Sequence, residues 1–201
     1  MYHYFMSYIG KLAAWMLLVL LLEIAAYYIY RCRRPSKAAV YKMVFAAYLA
    51  GLFSQTIFPV IEFGILSSTG KPYLDIYFMR GSLAGVNLFP FRTILEQLSG
   101  RNEYLGVKDI FVNAVINFAG NICLFVPVGF LLPEISRRFR DIRNALAVCL
   151  AISAFIEMIQ FFTGRSMDVD DIILNGLGAV GGWLLWRLVY HCRLAGKKLR
   201  G

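Results

Sequence analysis

Gly164-Arg165-Ser166-Met167-Asp168-Val169-Asp170-Asp171-Ile172-Ile173-Leu174-Asn175 is a polar turn between two hydrophobic runs. The run before it carries Glu157 and Gln160, and the run after it is apolar and glycine-rich. A turn this charged between runs of that kind reads as the connection between two membrane-crossing helices. The fold then depends on how many such runs the chain holds and on which side of a membrane this turn lies.

The chain has 201 residues, of which 59% are hydrophobic and 16% charged, and its mean hydropathy is +0.62. A soluble domain of this size cannot hide that much apolar surface, so the whole chain, 1–201, reads as a single membrane domain. Its net charge of +9 would suggest nucleic acid in a soluble protein. Here the basic residues fall between apolar runs, where they report topology, and no nucleic-acid partner is expected. The N-terminus lacks a basic leader and a small-residue cleavage site, so its apolar run is expected to be a retained span. Cys32, Cys123, Cys149 and Cys192 show no metal spacing, and His3 and His191 lie far from the polar turn, so neither a zinc nor a haem signature is present.

Five spans are expected: Leu12 to Tyr30, Ala38 to Ile61, Ile110 to Leu132 (closed by Pro133), Ala145 to Thr163, and Ile172 to Tyr190. The fold class is all-α, a polytopic helix bundle. Lys and Arg gather at Arg31, Arg33, Arg34, Lys37 and Lys42, at Arg137, Arg138, Arg140 and Arg143, and in the tail from Arg187. With five alternating spans these clusters share one side, which the positive-inside rule makes cytoplasmic. The N-terminus is then outside, the C-terminus inside, and the Arg165 turn faces out. The cysteines fall toward the cytoplasmic side, where structural disulfides are rare.

The outer segment from Glu62 to Asp109 is too long for a plain connection. Pro90 in Asn87-Leu88-Phe89-Pro90-Phe91 predicts a tight turn. The shared face of Ile94, Leu95 and Leu98 predicts a short interfacial helix after it. Pro72 to Met79 is ambiguous between strand and helix.

Hydrocarbon offers polar groups no partners, so those inside spans are informative. Asn113, Asn117 and Asn121 recur every four residues along the third span, from the outer surface to roughly 16 Å deep. Gln55 and Glu157 lie about 9 Å, and Gln160 about 5 Å, below the outer ends of their spans. Asp171 and Asn175 stack at i, i+4 at the start of the last span. Each has a plain reading: asparagines as interhelical glue, an aspartate as a helix cap, Arg165 as an interfacial anchor. Capping needs only one of Asp168, Asp170 and Asp171. A carboxylate at the depth of Glu157 must be paired, protonated or wet, and Arg92 and Arg165 are its nearest candidate partners. Glu23 stands apart in the inner half of the first span. Gly178 and Gly182 form a Gly-x-x-x-Gly pair suited to close helix approach, and Pro127 leaves the carbonyl of Cys123 without its usual donor.

Four stretches in order resemble the VanZ-like family of bacterial membrane proteins: Asn87 to Phe91; Asn121-Ile122-Cys123-Leu124-Phe125-Val126-Pro127-Val128-Gly129-Phe130; Glu157-Met158-Ile159-Gln160; and Arg165 through Asp168-Val169-Asp170-Asp171 to Asn175 with Gly178. They place a VanZ-like core at 86–182, with two additional N-terminal spans in 1–61. The resemblance implies a multi-pass protein of the bacterial plasma membrane, and the Lys and Arg count puts its motif face on the extracytoplasmic side. The family's namesake lowers susceptibility to the lipoglycopeptide teicoplanin, and the resemblance supplies no established reaction.

Three functions are open on this reading. A binding module would use Asn87, Arg92, Asn117, Asn121, Glu157, Gln160, Arg165, Asp168, Asp170, Asp171 and Asn175 as an outward-facing polar pocket. Its partners would be membrane lipids, a lipid-linked cell-wall precursor or an amphiphilic antibiotic. A membrane enzyme acting on such a lipid would use Glu157 as acid or base, with Asp168, Asp170 and Asp171 holding Mg²⁺ or Ca²⁺ through oxygen. A transporter is disfavoured by the lack of a repeat and of a polar path through the inner half.

Overall fold

The computed structural model describes residues 2–31, 35–57, 60–65, 72–77, 86–99, 107–162 and 166–198. Six helices carry most of them: α1 (Tyr2–Arg31), α2 (Lys37–Ile57), α3 (Arg92–Leu98), α4 (Val107–Ile135), α5 (Ile142–Phe162) and α6 (Val169–Lys198). Ala114–Ile135, Ile142–Phe162 and Val169–Gly196 are each long and apolar enough to cross a membrane, and α1 contains a shorter apolar stretch, Ala13–Tyr28.

α2 and α5 start where a side chain satisfies one of the amide N–H groups left over at a helix N-terminus. Ser36 Oγ accepts from Ala39 N at 3.2 Å at the head of α2. Asp141 Oδ1 accepts from Arg143 N at 2.9 Å at the head of α5. Between α4 and α5 the basic stretch Arg137–Arg140 forms a single 3₁₀ turn capped by Ser136.

The central contact is α4 against α6, and glycines permit it. A Cβ on Gly178 would lie 2.1 Å from the carbonyl oxygen of Ile122, one on Gly182 would lie 2.0 Å from that of Val126, and one on Gly129 would lie 2.0 Å from that of Ala179. The two backbones therefore touch directly, as the Gly-x-x-x-Gly spacing predicts. Around this seam, Tyr48 and Leu52 of α2, Phe125, Val128 and Leu132 of α4, Ala145, Cys149 and Ile156 of α5, and Ala179, Trp183 and Trp186 of α6 form one buried cluster. Tyr48 also donates from its hydroxyl to the carbonyl of Leu124 at 2.7 Å, tying α2 to α4. α1 packs on α2. Cys123 and Cys192 are exposed, Cys149 is buried, and all three are free.

Two expectations need correction. The second apolar run is not one span to Ile61: α2 stops at Ile57, and Val60–Ile65 is a strand, β1. From Val60 the backbone is extended and paired with a second strand, so the helix cannot reach Ile61. The ambiguous stretch is also a strand, β2 (Pro72–Tyr77), antiparallel to β1 with Val60 opposite Tyr77. The chain is mostly helical, as expected, and adds two small sheets; the second joins β3 (Val86–Asn87) and β4 (Met167–Asp168) in parallel. Lastly, Pro133 does not close its helix, because α4 runs through Pro127 and Pro133 to Ile135.

Candidate functional site

The β3–β4 pairing sets Val86 opposite Met167 and Asn87 opposite Asp168, bringing the Asn87–Phe91 motif onto the aspartate turn. Those partners are about eighty residues apart in sequence. Only two residues pair on each strand, so side chains and caps must hold the junction.

Each aspartate of the turn does a different job. Asp168 caps its own helix: Oδ1 accepts from Asp170 N at 2.9 Å in the first turn of α6, and also from Asn87 Nδ2 at 2.9 Å. Asp170 caps a different helix. Its Oδ1 accepts from Phe91 N and its Oδ2 from Ile94 N (3.1 Å), the orphan donors at the start of α3. Phe91 occupies the N-cap position of α3, whose own side chains supply no cap bond there. Asp171 points to α4, where Asn121 Nδ2 donates to its Oδ1 at 2.6 Å.

Beneath the turn, Glu157 is 1% exposed and accepts from Asp168 N at 2.8 Å. Gln160, with its amide turned to satisfy both groups, donates to Glu157 Oε1 at 3.0 Å and Oε2 at 3.2 Å. One turn deeper, Asn175 Nδ2 donates to Ser153 Oγ at 2.8 Å, and both residues are buried.

The loop that meets this cluster is a tight turn. Arg92 N donates to the carbonyl of Phe89 at 3.3 Å, with Pro90 and Phe91 in the middle. Phe91 has φ 67 and ψ 2, the left-handed geometry of the third residue in a type II turn, usually filled by glycine or asparagine. It is the one described non-glycine residue with positive φ. Asn87 stiffens the loop: Oδ1 accepts from Phe89 N at 3.2 Å and Nδ2 donates to Thr93 Oγ1 at 3.0 Å. Leu88, Phe89, Phe91 and Leu95 are held outward, each more than half exposed, beside the polar cluster.

The structure therefore gathers Asn87, Asn121, Glu157, Gln160, Asp168, Asp170, Asp171 and Asn175, but not the rest of the expected set. Arg92 is exposed and bonded to Glu96 at 2.9 Å, not to Glu157. That bond, the Glu96 charge and a smaller push from Asp168 raise its already high pKa, so it stays cationic. Asn117 is exposed one turn above Asn121, so the asparagine ladder does not act as one lining. Arg165 and the side chains of Asn113 and Gln55 lie outside the described residues. The aspartates do not fit a Mg²⁺ or Ca²⁺ site: their oxygens face three different partners, and among the described residues no group of three His, Cys, Asp or Glu could hold a metal ion. Ser153 and Thr93 are additions to the expected set. Ser153 lies four residues before Glu157 on the same face of α5, a spacing that would have flagged it.

A family model described as VanZ/LLP1 matches residues 45–190, from the middle of α2 to near the end of α6. No curated protein and no solved structure gives a significant match. The matched region takes in all the residues gathered around the aspartate turn, and it covers well over half of the sequence, so the chain belongs to the VanZ/LLP1 family.

Proposed function

We propose that this VanZ/LLP1 protein is a multi-pass protein of the bacterial plasma membrane that binds an amphiphilic or lipid-linked ligand at the extracytoplasmic end of α6. In this role it lowers susceptibility to lipoglycopeptides such as teicoplanin. The proposed topology is five spans, N-terminus outside and C-terminus inside. It is supported by the basic clusters at 31–42, 137–143 and 187–200, which share one side in that arrangement.

The observation that carries the binding reading is Phe91. A phenylalanine is kept in a left-handed conformation that costs roughly 1–2 kcal/mol. A buried carboxylate from another helix holds it there, and the residue is 54% exposed. Strain maintained by its surroundings is characteristic of functional positions. With Leu88, Phe89 and Leu95 it forms an apolar platform beside amides and carboxylates, which suits a ligand with an acyl or aromatic tail and a polar head. Chemistry at Glu157 gains no support from the geometry, since that carboxylate is enclosed and already accepts from Asp168 and Gln160.

The test is tolerance and binding together. Phe89→Ser and Leu95→Ser, at unchanged membrane levels, are expected to lower teicoplanin tolerance stepwise and to weaken binding of teicoplanin by the purified protein. A glycopeptide without the acyl chain should bind much more weakly to the unsubstituted protein. Full tolerance in both variants would sink the proposal.

A further inference from the structure

At the other end of α6, roughly 25 Å along the helix from Asp170 to Arg187, lies a second feature that the aspartate turn does not explain. A cavity of about 400 Å³ opens between the junction of the 3₁₀ turn with α5 and the last turns of α6. Trp183 closes one side by donating from Nε1 to the carbonyl of Phe139 at 3.3 Å. Trp186 and Tyr190 form the next wall, their rings stacked at 5.2 Å. Arg140 lies over the Tyr190 ring at 5.0 Å, and Arg187 over the Trp183 ring at 5.4 Å.

Both guanidiniums lie over ring faces, and Arg140 also donates from Nη1 to the Tyr190 hydroxyl at 3.4 Å, which orients the cations and leaves their other N–H donors for a ligand. Among the described residues neither is paired with a carboxylate; the ion pairs there are Arg92–Glu96 and Arg193–Glu134. The acid in the cavity wall, Asp141, serves as the cap of α5 through Arg143 N. Trp186 is 4% exposed and its indole N–H has no acceptor among the described residues. Arg137, Arg138 and Arg143 flank the cavity-lining residues in sequence, so the local field is positive.

We infer that this cavity binds a phosphate-bearing anion, with Arg140 and Arg187 as the paired donors and the aromatic wall fixing their direction. A guanidinium presents forked N–H donors to phosphate oxygens, which a single ammonium does not. Basic pockets between membrane helices are suited to anionic lipid head groups. Leu184 and Leu188, 52% and 62% exposed on the same stretch of α6, offer an acyl chain a path beside the cavity. The phosphate could belong to a lipid or be free in solution, and the experiment distinguishes the two.

The chain has three tryptophans, so Trp15→Phe leaves Trp183 and Trp186 as the reporters. That protein, purified in a neutral detergent, is titrated with brominated phosphatidylglycerol or brominated phosphatidylcholine, and quenching of the cavity tryptophans is read. The expected result is a preference for phosphatidylglycerol of about five-fold or more. It should disappear in Arg140→Gln/Arg187→Gln and persist in Arg137→Gln/Arg138→Gln, whose side chains lie outside the cavity wall. A change in tryptophan emission on adding millimolar inorganic phosphate, without any lipid preference, would assign the cavity to free phosphate. Equal quenching by both lipids with no response to phosphate overturns the inference, as does a preference that survives loss of both arginines.

Discussion

The Asp170 carboxylate, in the first turn of α6, accepts the backbone N–H of Ile94 at 3.1 Å and so caps α3, a helix to which it does not belong. Its other oxygen takes the N–H of Phe91. Asp170 is 1% exposed, so nothing in solvent can replace it. Asp170→Asn keeps one acceptor, presents an NH₂ to the second amide hydrogen and removes the charge. The expected loss is about 1.5–3 kcal/mol, with a larger loss for Asp170→Ala, which strands both donors. Thermal unfolding in detergent reads this directly, and protease cleavage within 86–99 should increase in parallel. Unchanged unfolding for both variants would refute the cross-helix cap.

Adjacent glycines in α6 should behave in opposite ways. A Cβ on Gly182 would sit 2.0 Å from the Val126 carbonyl oxygen, a contact only helix separation can relieve, whereas one on Gly181 meets nothing within 4 Å. Gly182→Ala is expected to cost about 1–3 kcal/mol or more. Gly181→Ala should be neutral or stabilising by up to about 1 kcal/mol through helix propensity. Comparing folded yield and unfolding temperature of the two variants checks the seam, and equal behaviour would contradict it.

That seam and the run of helices from Ile110 onward were legible in the sequence because they depend on local signals: long apolar runs, glycine spacing and basic punctuation. The short helix after Pro90 was legible for the same reason. The β1–β2 hairpin was not. Ala38 to Ile61 is a continuous apolar run, and hydropathy alone cannot separate the end of a helix at Ile57 from a strand beginning at Val60. Within the site, the sequence marked most of the polar residues that the structure gathers but not their pairing. Asp168, Asp170 and Asp171 look equivalent as a string, and they diverge only because α3, α4 and the head of α6 meet at this point. Asn121 and Asn117 are likewise indistinguishable by spacing, yet only Asn121 faces α6 at the level of Asp171.

Ser153 and Asn175 should be energetically coupled. Asn175 donates to the serine hydroxyl at 2.8 Å, and its carbonyl oxygen has no partner among the described residues. Ser153→Ala strands the amide donor in a buried site, and Asn175→Ala strands the hydroxyl. Each is expected to cost about 1–3 kcal/mol. The double variant should cost less than the sum, by about 0.5 kcal/mol or more, because it removes both polar groups together. A double-mutant cycle on unfolding free energy measures the difference. Strict additivity would show that the bond contributes nothing.

Arg92 provides the contrast, because its side chain is 55% exposed and its partner Glu96 is 59% exposed. Exposed pairs of this kind contribute little and are screened by salt. Arg92→Gln is expected to leave the unfolding temperature unchanged at physiological ionic strength. A marked fall would place Arg92 inside the polar network after all.

Phe91→Gly separates stability from function most sharply. Glycine adopts φ 67 without steric cost, so the substitution relieves the left-handed strain while keeping the backbone N–H that Asp170 accepts. Against that relief stands the greater backbone freedom of glycine in the unfolded chain, about 0.5–1 kcal/mol. Phe91 is more than half exposed as a residue, so little packing is lost. The net expectation is unchanged stability or a gain of up to about 1 kcal/mol, together with loss of teicoplanin binding and tolerance because the platform loses an aromatic face. A protein that is stabilised and still fully active would mean the strain at Phe91 serves only the turn. A protein strongly destabilised by the change would mean the ring packs in a way its exposure does not suggest, and the platform would then have to rest on Leu88, Phe89 and Leu95 alone.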